Sequence, residues 1–128
     1  MIETIRYDPK SKEFSAATHR RMARALTLAR LSTEHQKHGA LLMQNSSVLG
    51  VGVNSYKNAP DNVDDKHIHR ISVHAEMAAC RSHLEVPNTT LYVARVGNGS
   101  GTYMNSKPCS GCMEWLMWQT NVKRVVHS

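Results

Sequence analysis

The sequence predicts a single α/β domain in which helices and strands alternate. Three observations carry that reading. The 128 residues are enough for one domain and too few for two ordinary ones. Helical and strand patterns follow one another in the order α, β, β, loop, α, β, loop, α, β. Two short motifs rich in metal-ligating side chains, "HAE" at 74–76 and "PCSGC" at 108–112, each open one of the later helices.

Bulk properties narrow the class. Hydrophobic residues make up 41% and charged residues 20%, the balance of a globular domain with a core of its own. No apolar run approaches the roughly 20 residues that span a bilayer. The opening "MIETIRYDPKSKEF" has no apolar stretch that would serve as a signal peptide, so a soluble, cytoplasmic protein is expected. Three cysteines, two of them in Cys-x-x-Cys spacing, favour metal binding or catalysis over a disulfide framework. The net charge of +6 suits an anionic partner such as a nucleotide or nucleic acid, and equally serves solubility alone.

Taken in order, residues 1–13 read as a loosely held polar arm. From Ser15, a plausible N-cap, to about Leu31 the pattern is helical, with Met22, Ala25, Leu26 and Ala29 on one face. Arg20, Arg24 and Arg30 fall largely elsewhere, as a solvated face or a nucleic-acid face. Ala40–Met43 and Val48–Val53 flank the turn-like "QNSS" as a hairpin. Gly50 and Gly52 share one side of the second strand, which marks close approach of a ligand or another backbone. The polar stretch Tyr56–Ser72 is a long loop, and loops of that length in compact domains are usually functional or disordered. Ser72 is expected to cap a helix starting near His74. Thr90–Val96 reads as a third strand, "GNGSG" at 97–101 as a flexible turn, Cys109–Gln119 as a helix and Val122–Val126 as the last strand.

The two motifs answer to one chemistry. Zinc binds thiolate and imidazole, and a catalytic zinc keeps three protein ligands with a fourth position open to water. Cys109 and Cys112, at a helix start where backbone N–H groups favour thiolates, bring two sulfurs to one point, and His74 adds a nitrogen. The ion can bring the pKa of its water near 7. Glu76, two residues after His74, is placed to reach that water without ligating the metal and to pass its proton to a leaving amine. H-x-E followed by P-C-x-x-C is the zinc-deaminase pattern, with 31 residues here between Glu76 and Pro108.

With those residues in hand, the chain from about Ser15 to the end resembles the cytidine and deoxycytidylate deaminase superfamily. "TLYVARV" and "PCSGCMEWLMWQTNVKRVV" are similar to the family's third strand, zinc helix and fourth strand. The resemblance implies a three-layer α/β/α fold with a mixed central sheet, here ending after the fourth strand without the usual fifth strand and terminal helix. It implies zinc on His74, Cys109 and Cys112 and a proton shuttle at Glu76. It also implies a substrate contact at Asn54, in "GVGVN", and one from the Ala75 backbone N–H. Histidine at position 74 resembles the deoxycytidylate, tRNA-adenosine, guanine and polynucleotide deaminases rather than the free-cytidine enzymes. The "NSK" before Pro108 matches neither the tRNA nor the polynucleotide pattern, which leans towards a free nucleotide. The leading expectation is a zinc-dependent hydrolytic deaminase of a base in a free nucleotide or nucleoside, with cytosine converted to uracil.

Two alternatives stay open: a base deaminase acting on tRNA or single-stranded DNA, and a non-catalytic zinc-binding module. Which base is attacked is not read from the sequence. His67 and His69, with Asp64 and Asp65, are either ligands of a second metal or part of a solvated loop. Cys80 reads as core. Trp115 and Trp118 read as core or a subunit interface. Lys107 and Arg95 are candidate phosphate contacts. A homo-oligomer is expected, because Val122–Val126 would otherwise leave an open sheet edge.

Overall fold

A computed structural model describes residues 2–33, 36–56, 72–97 and 103–128. The architecture is mixed α/β, with a six-stranded mixed sheet and three helices. In chain order the elements are β1 (Glu3–Arg6), α1 (Ala16–Ala29), β2 (Lys37–Gln44), β3 (Ser47–Val53), β4 (Ser55–Tyr56) and β5 (Ser72–Val73). They continue with α2 (Ala75–Cys80), β6 (Thr89–Val96), β7 (Tyr103–Met104), α3 (Ser110–Gln119) and β8 (Val122–His127). The main sheet runs β1-β8-β6-β2-β3, with β7 beside the end of β6; β4 and β5 pair separately.

Alternation along the central strands assigns the two faces. Leu41, Met43, Tyr92, Ala94 and Val96 pack under α1, against the Met22, Ala25, Leu26 and Ala29 stripe. Ala40, Leu42, Leu91 and Val93 point the other way, against Ala75, Ala79 and Cys80 of α2 and Leu116 of α3. These are the three expected layers. Ser15 caps α1 as expected, its Oγ accepting from the Thr18 N–H at 3.1 Å. Burying Met22 and Leu26 contributes about 1.5–3 kcal/mol each, so the stripe rather than helix propensity holds α1 in place.

The hairpin forms around Asn45, whose φ of 53° suits a tight turn, and it carries a bulge between Leu42 and Met43. Gly50 and Gly52 are there for close approach: a Cβ at Gly50 would fall on the Ala79 carbonyl, and one at Gly52 on the Ala75 carbonyl. Helix α2 therefore lies with its backbone directly on β3.

Three expectations change. The N-terminal segment is not a loose arm. Glu3–Arg6 pairs parallel with β8, Tyr7 N–H donates to the His127 carbonyl at 2.7 Å, and the Tyr7 ring packs edge-on against Phe14 and Tyr103. Consequently Val122–Val126 is not an edge strand, because β8 is enclosed by β6 and β1. The sheet thus continues past the strand read as its last. Ser72 belongs to β5 and does not cap α2; His74 occupies the N-cap position. The residues read as the long polar loop (57–71, with Asp64, Asp65, His67 and His69) lie outside the described residues, as does most of "GNGSG". Among the described residues, no helix is long and apolar enough to cross a membrane.

Candidate metal centre and active site

Two helix N-termini meet on the sheet face opposite α1. His74 precedes α2 in extended conformation (φ −72°, ψ 146°), and Cys109 does the same for α3 (φ −66°, ψ 165°). The Cys109 Sγ accepts from the Cys112 N–H at 3.4 Å, which folds the Cys-x-x-Cys turn back on itself. Ligand atoms of His74, Cys109 and Cys112 all lie within 4.8 Å of one another. The Cys112 Sγ stands 3.0 Å from His74 Nδ1. Zinc binds imidazole nitrogen and thiolate sulfur at about 2.0–2.3 Å, and donor atoms grouped this closely suit one shared ion.

The electrostatics fit a cation. Burial, then the neighbouring Glu76 carboxylate, push the Cys112 thiol well above its ordinary range, so the thiolate has no support from the protein alone. A bound divalent ion reverses that balance, since a coordinating thiol is deprotonated. Cys109 is exposed and Cys112 buried, so the triad spans from the core to solvent.

Glu76 sits in the first turn of α2, where a carboxylate is favoured by the helix dipole, and it is only 4% exposed. Its carboxylate lies close enough to help raise the Cys112 thiol pKa. A carboxylate buried in an apolar core is costly unless a cation or donor answers it, and the three-ligand cluster is the feature beside it. Cys80 is fully buried with its thiol pushed up to about 12, first by burial and then by Glu76, so it is an inert core residue as expected.

Asn54 is engaged with the chain. Its Oδ1 accepts from the His38 N–H at 2.9 Å and its Nδ2 donates to the Gln36 carbonyl at 2.5 Å. These bonds tie the end of β3 to the start of β2. Ala75 is fully buried at the first turn of α2. Lys107 is exposed, and Trp118 is 79% exposed rather than core, whereas Trp115 packs partly against the α2–α3 side.

Two contributors were not read from the sequence. Ser106, within "NSK", donates its Oγ–H to the Val93 carbonyl at 2.9 Å, and its N–H donates to the Ser128 carbonyl at 2.8 Å. It pins the segment that delivers Pro108 and Cys109. His38 faces the site from β2; burial is the main force that lowers its pKa, and the charges of Glu76, Arg95 and His74 all reach it. Nothing local in "NSK" or "KHGALL" marks these roles, since one arises from hydrogen bonds to Val93 and Ser128 and the other from strand register.

The profile of the cytidine and deoxycytidylate deaminase zinc-binding region matches residues 15–128. The chain belongs to this deaminase family. Solved structures agree on the fold. The dCMP deaminase of the cyanophage S-TIM5, in complex with dCMP and dUMP, is 20% identical with a TM-score of 0.64, over 90% of this chain and 85% of that one. Guanine deaminase from Bacillus subtilis is 20% identical at a TM-score of 0.54, over 90% of this chain and 64% of that one. A mutant cytidine deaminase from Mycobacterium tuberculosis is 18% identical at 0.50, over 84% and 79%. No curated protein sequence matches significantly. This deaminase domain is a zinc-binding one, and His74, Cys109 and Cys112 lie close enough together to form a possible zinc site.

Proposed function

We propose that the chain is a hydrolytic deaminase of a free nucleotide, converting cytosine to uracil in a deoxycytidylate-like substrate. The observation that carries the reading is Glu76, buried beside a three-donor cluster that it does not join. A purely structural zinc is closed by four protein ligands and has no use for such a carboxylate. A zinc ion held there would supply Lewis acidity and lower the pKa of a bound water to about 7. Glu76 would take a proton from the attacking water as its oxygen bonds to C4 of the base. It delivers the proton to the exocyclic nitrogen, the C4–N bond breaks, and ammonia leaves. Positioned proton transfer of this kind contributes roughly 10²- to 10⁴-fold. The Ala75 N–H lies in the first turn, where no carbonyl of the helix accepts it, and is the proposed donor to the base. Asn54 retains a second amide N–H beyond the one given to Gln36 and is the proposed contact to the substrate.

The position of α1 favours a small substrate over nucleic acid. Arg20, Arg24 and Arg30 are exposed on a helix that packs on the face opposite the site, so they do not line a path to it. A homo-oligomer in the cytoplasm completes the proposal. With β8 enclosed, the sheet edges among the described residues are β1 and β3; on β3, Val48 and Val51 are 40% and 47% exposed, and open edges are paired or covered. Light scattering at micromolar concentration should then exceed the monomer mass of 14.3 kDa, and a monomer alone removes this part of the reading. The function itself is tested by ammonia release across free bases, nucleosides, nucleotides and oligonucleotides. Release confined to oligonucleotides, or from no cytosine compound, contradicts it.

A further inference from the structure

Strand register brings two further side chains to the site. On β2, His38 shares a face with Ala40 and Leu42; on β6, Arg95 shares a face with Leu91 and Val93. That is the α2–α3 face, and His38 and Arg95 are direct cross-strand partners upon it. Ala40 pairs with Gly52, on which the Ala75 carbonyl rests. His38 is two residues further along β2, about 7 Å on, beneath the end of α2 from which His74 projects. Glu76 and His74 both act electrostatically on His38, consistent with that placement.

Arg95 is half-buried, and its Nε is a buried donor with no hydrogen-bond partner. Among the described residues, the ion pair formed is Arg124 with Glu3, at the far side of the sheet. A buried donor left without a partner is costly even on a half-exposed guanidinium. The arrangement makes sense when the partner arrives from outside. Guanidinium is the side chain best shaped to bind phosphate oxygens through two N–H groups at once.

We propose that Arg95, with His38 beside it, forms the subsite that holds the phosphate of a nucleoside monophosphate, and so selects nucleotide over nucleoside. The inference rests on the nucleotide-deaminase reading for the identity of its ligand. Arg95 supplies the charge and two donors. His38 supplies one ring N–H, and its backbone is fixed by Asn54.

Binding tests this without turnover. Zinc-loaded protein is titrated calorimetrically with dUMP and with deoxyuridine. The wild type is expected to prefer dUMP. Arg95→Met should lower that preference by about tenfold or more, within the range of a lost charge-assisted hydrogen bond. Arg95→Lys should restore part of it, and His38→Ala should lower it by less. Zinc content should stay level in all three. Equal affinity of the wild type for dUMP and deoxyuridine overturns the inference with no variant needed. So does an Arg95→Met or Arg95→Lys protein that keeps the full wild-type preference. A protein that binds dUMP through Arg95 yet releases ammonia from no cytosine compound keeps this inference and overturns the deaminase reading.

Discussion

Glu76 and Cys80 share one short helix and differ in what surrounds them. Glu76 faces the ligand cluster, while Cys80 is sealed in the core with its thiol raised from 9.0 to about 12 by burial and by Glu76. A thiol whose folded pKa lies above its unfolded value favours the fold while it stays protonated. That contribution is complete below about pH 9 and is lost as pH rises towards 12. Cys80→Ala should therefore flatten the alkaline fall of the melting temperature between pH 9 and 11. A steeper fall in the variant contradicts the assignment. At neutral pH a maleimide should label the exposed Cys109 after chelation but spare the buried Cys80, and rapid Cys80 labelling in folded protein counts against its burial. Cys112→Ala or His74→Ala should lose the metal, measured as zinc per chain. The ligand residues and Glu76 were legible because their spacing is local and each set opens a helix. Ser106 and His38 were not, because they reach the site through hydrogen bonds and strand register that no short window contains. Arg95 was legible as a cation but not as one buried without a partner.

At the scale of elements, α2 depends on the glycines beneath it. Gly52→Ala would drive a Cβ into the Ala75 carbonyl and the Ala79 backbone, so α2 must lift from β3. Overpacking of this kind typically costs about 1–3 kcal/mol. Because α2 carries His74 and Glu76, the variant should lose thermal stability and zinc affinity together. A variant with native zinc affinity shows that α2 is not positioned by this contact. The sequence marked Gly50 and Gly52 correctly, since glycine has few other reasons to recur on one face of a strand. It did not mark Gly39, which makes the same room for α1 at Ala25 and Ala29. Strand β1 was missed for a different reason. "ETIR" has no periodic apolar run, and it becomes a strand only by pairing with β8.

Across the whole molecule, the sheet divides labour between its faces. One face carries α1 and the aromatic cluster around Tyr7; the other carries the metal ligands, Glu76, His38 and Arg95. A positive net charge spread over both faces does not make a nucleic-acid groove. Substrate binding should accordingly show a shallow dependence on salt, about that of one or two phosphates rather than the steep slope of many. A slope that reports six or more neutralised phosphates favours the polynucleotide alternative. The order of the layers was legible because helix and strand periods differ. The closing of the sheet by the N-terminal strand was not, because it pairs the two ends of the sequence.

The most direct test of the central claim compares ammonia release from dCMP by the wild type and by Glu76→Ala at equal zinc content. The expected result is dUMP and ammonia in equal amounts from the wild type. Glu76→Ala should be slower by at least about 10²-fold, with its zinc retained and its melting temperature no lower, since a buried carboxylate has been removed. Near-native turnover by Glu76→Ala, or no ammonia from the zinc-loaded wild type, contradicts the account.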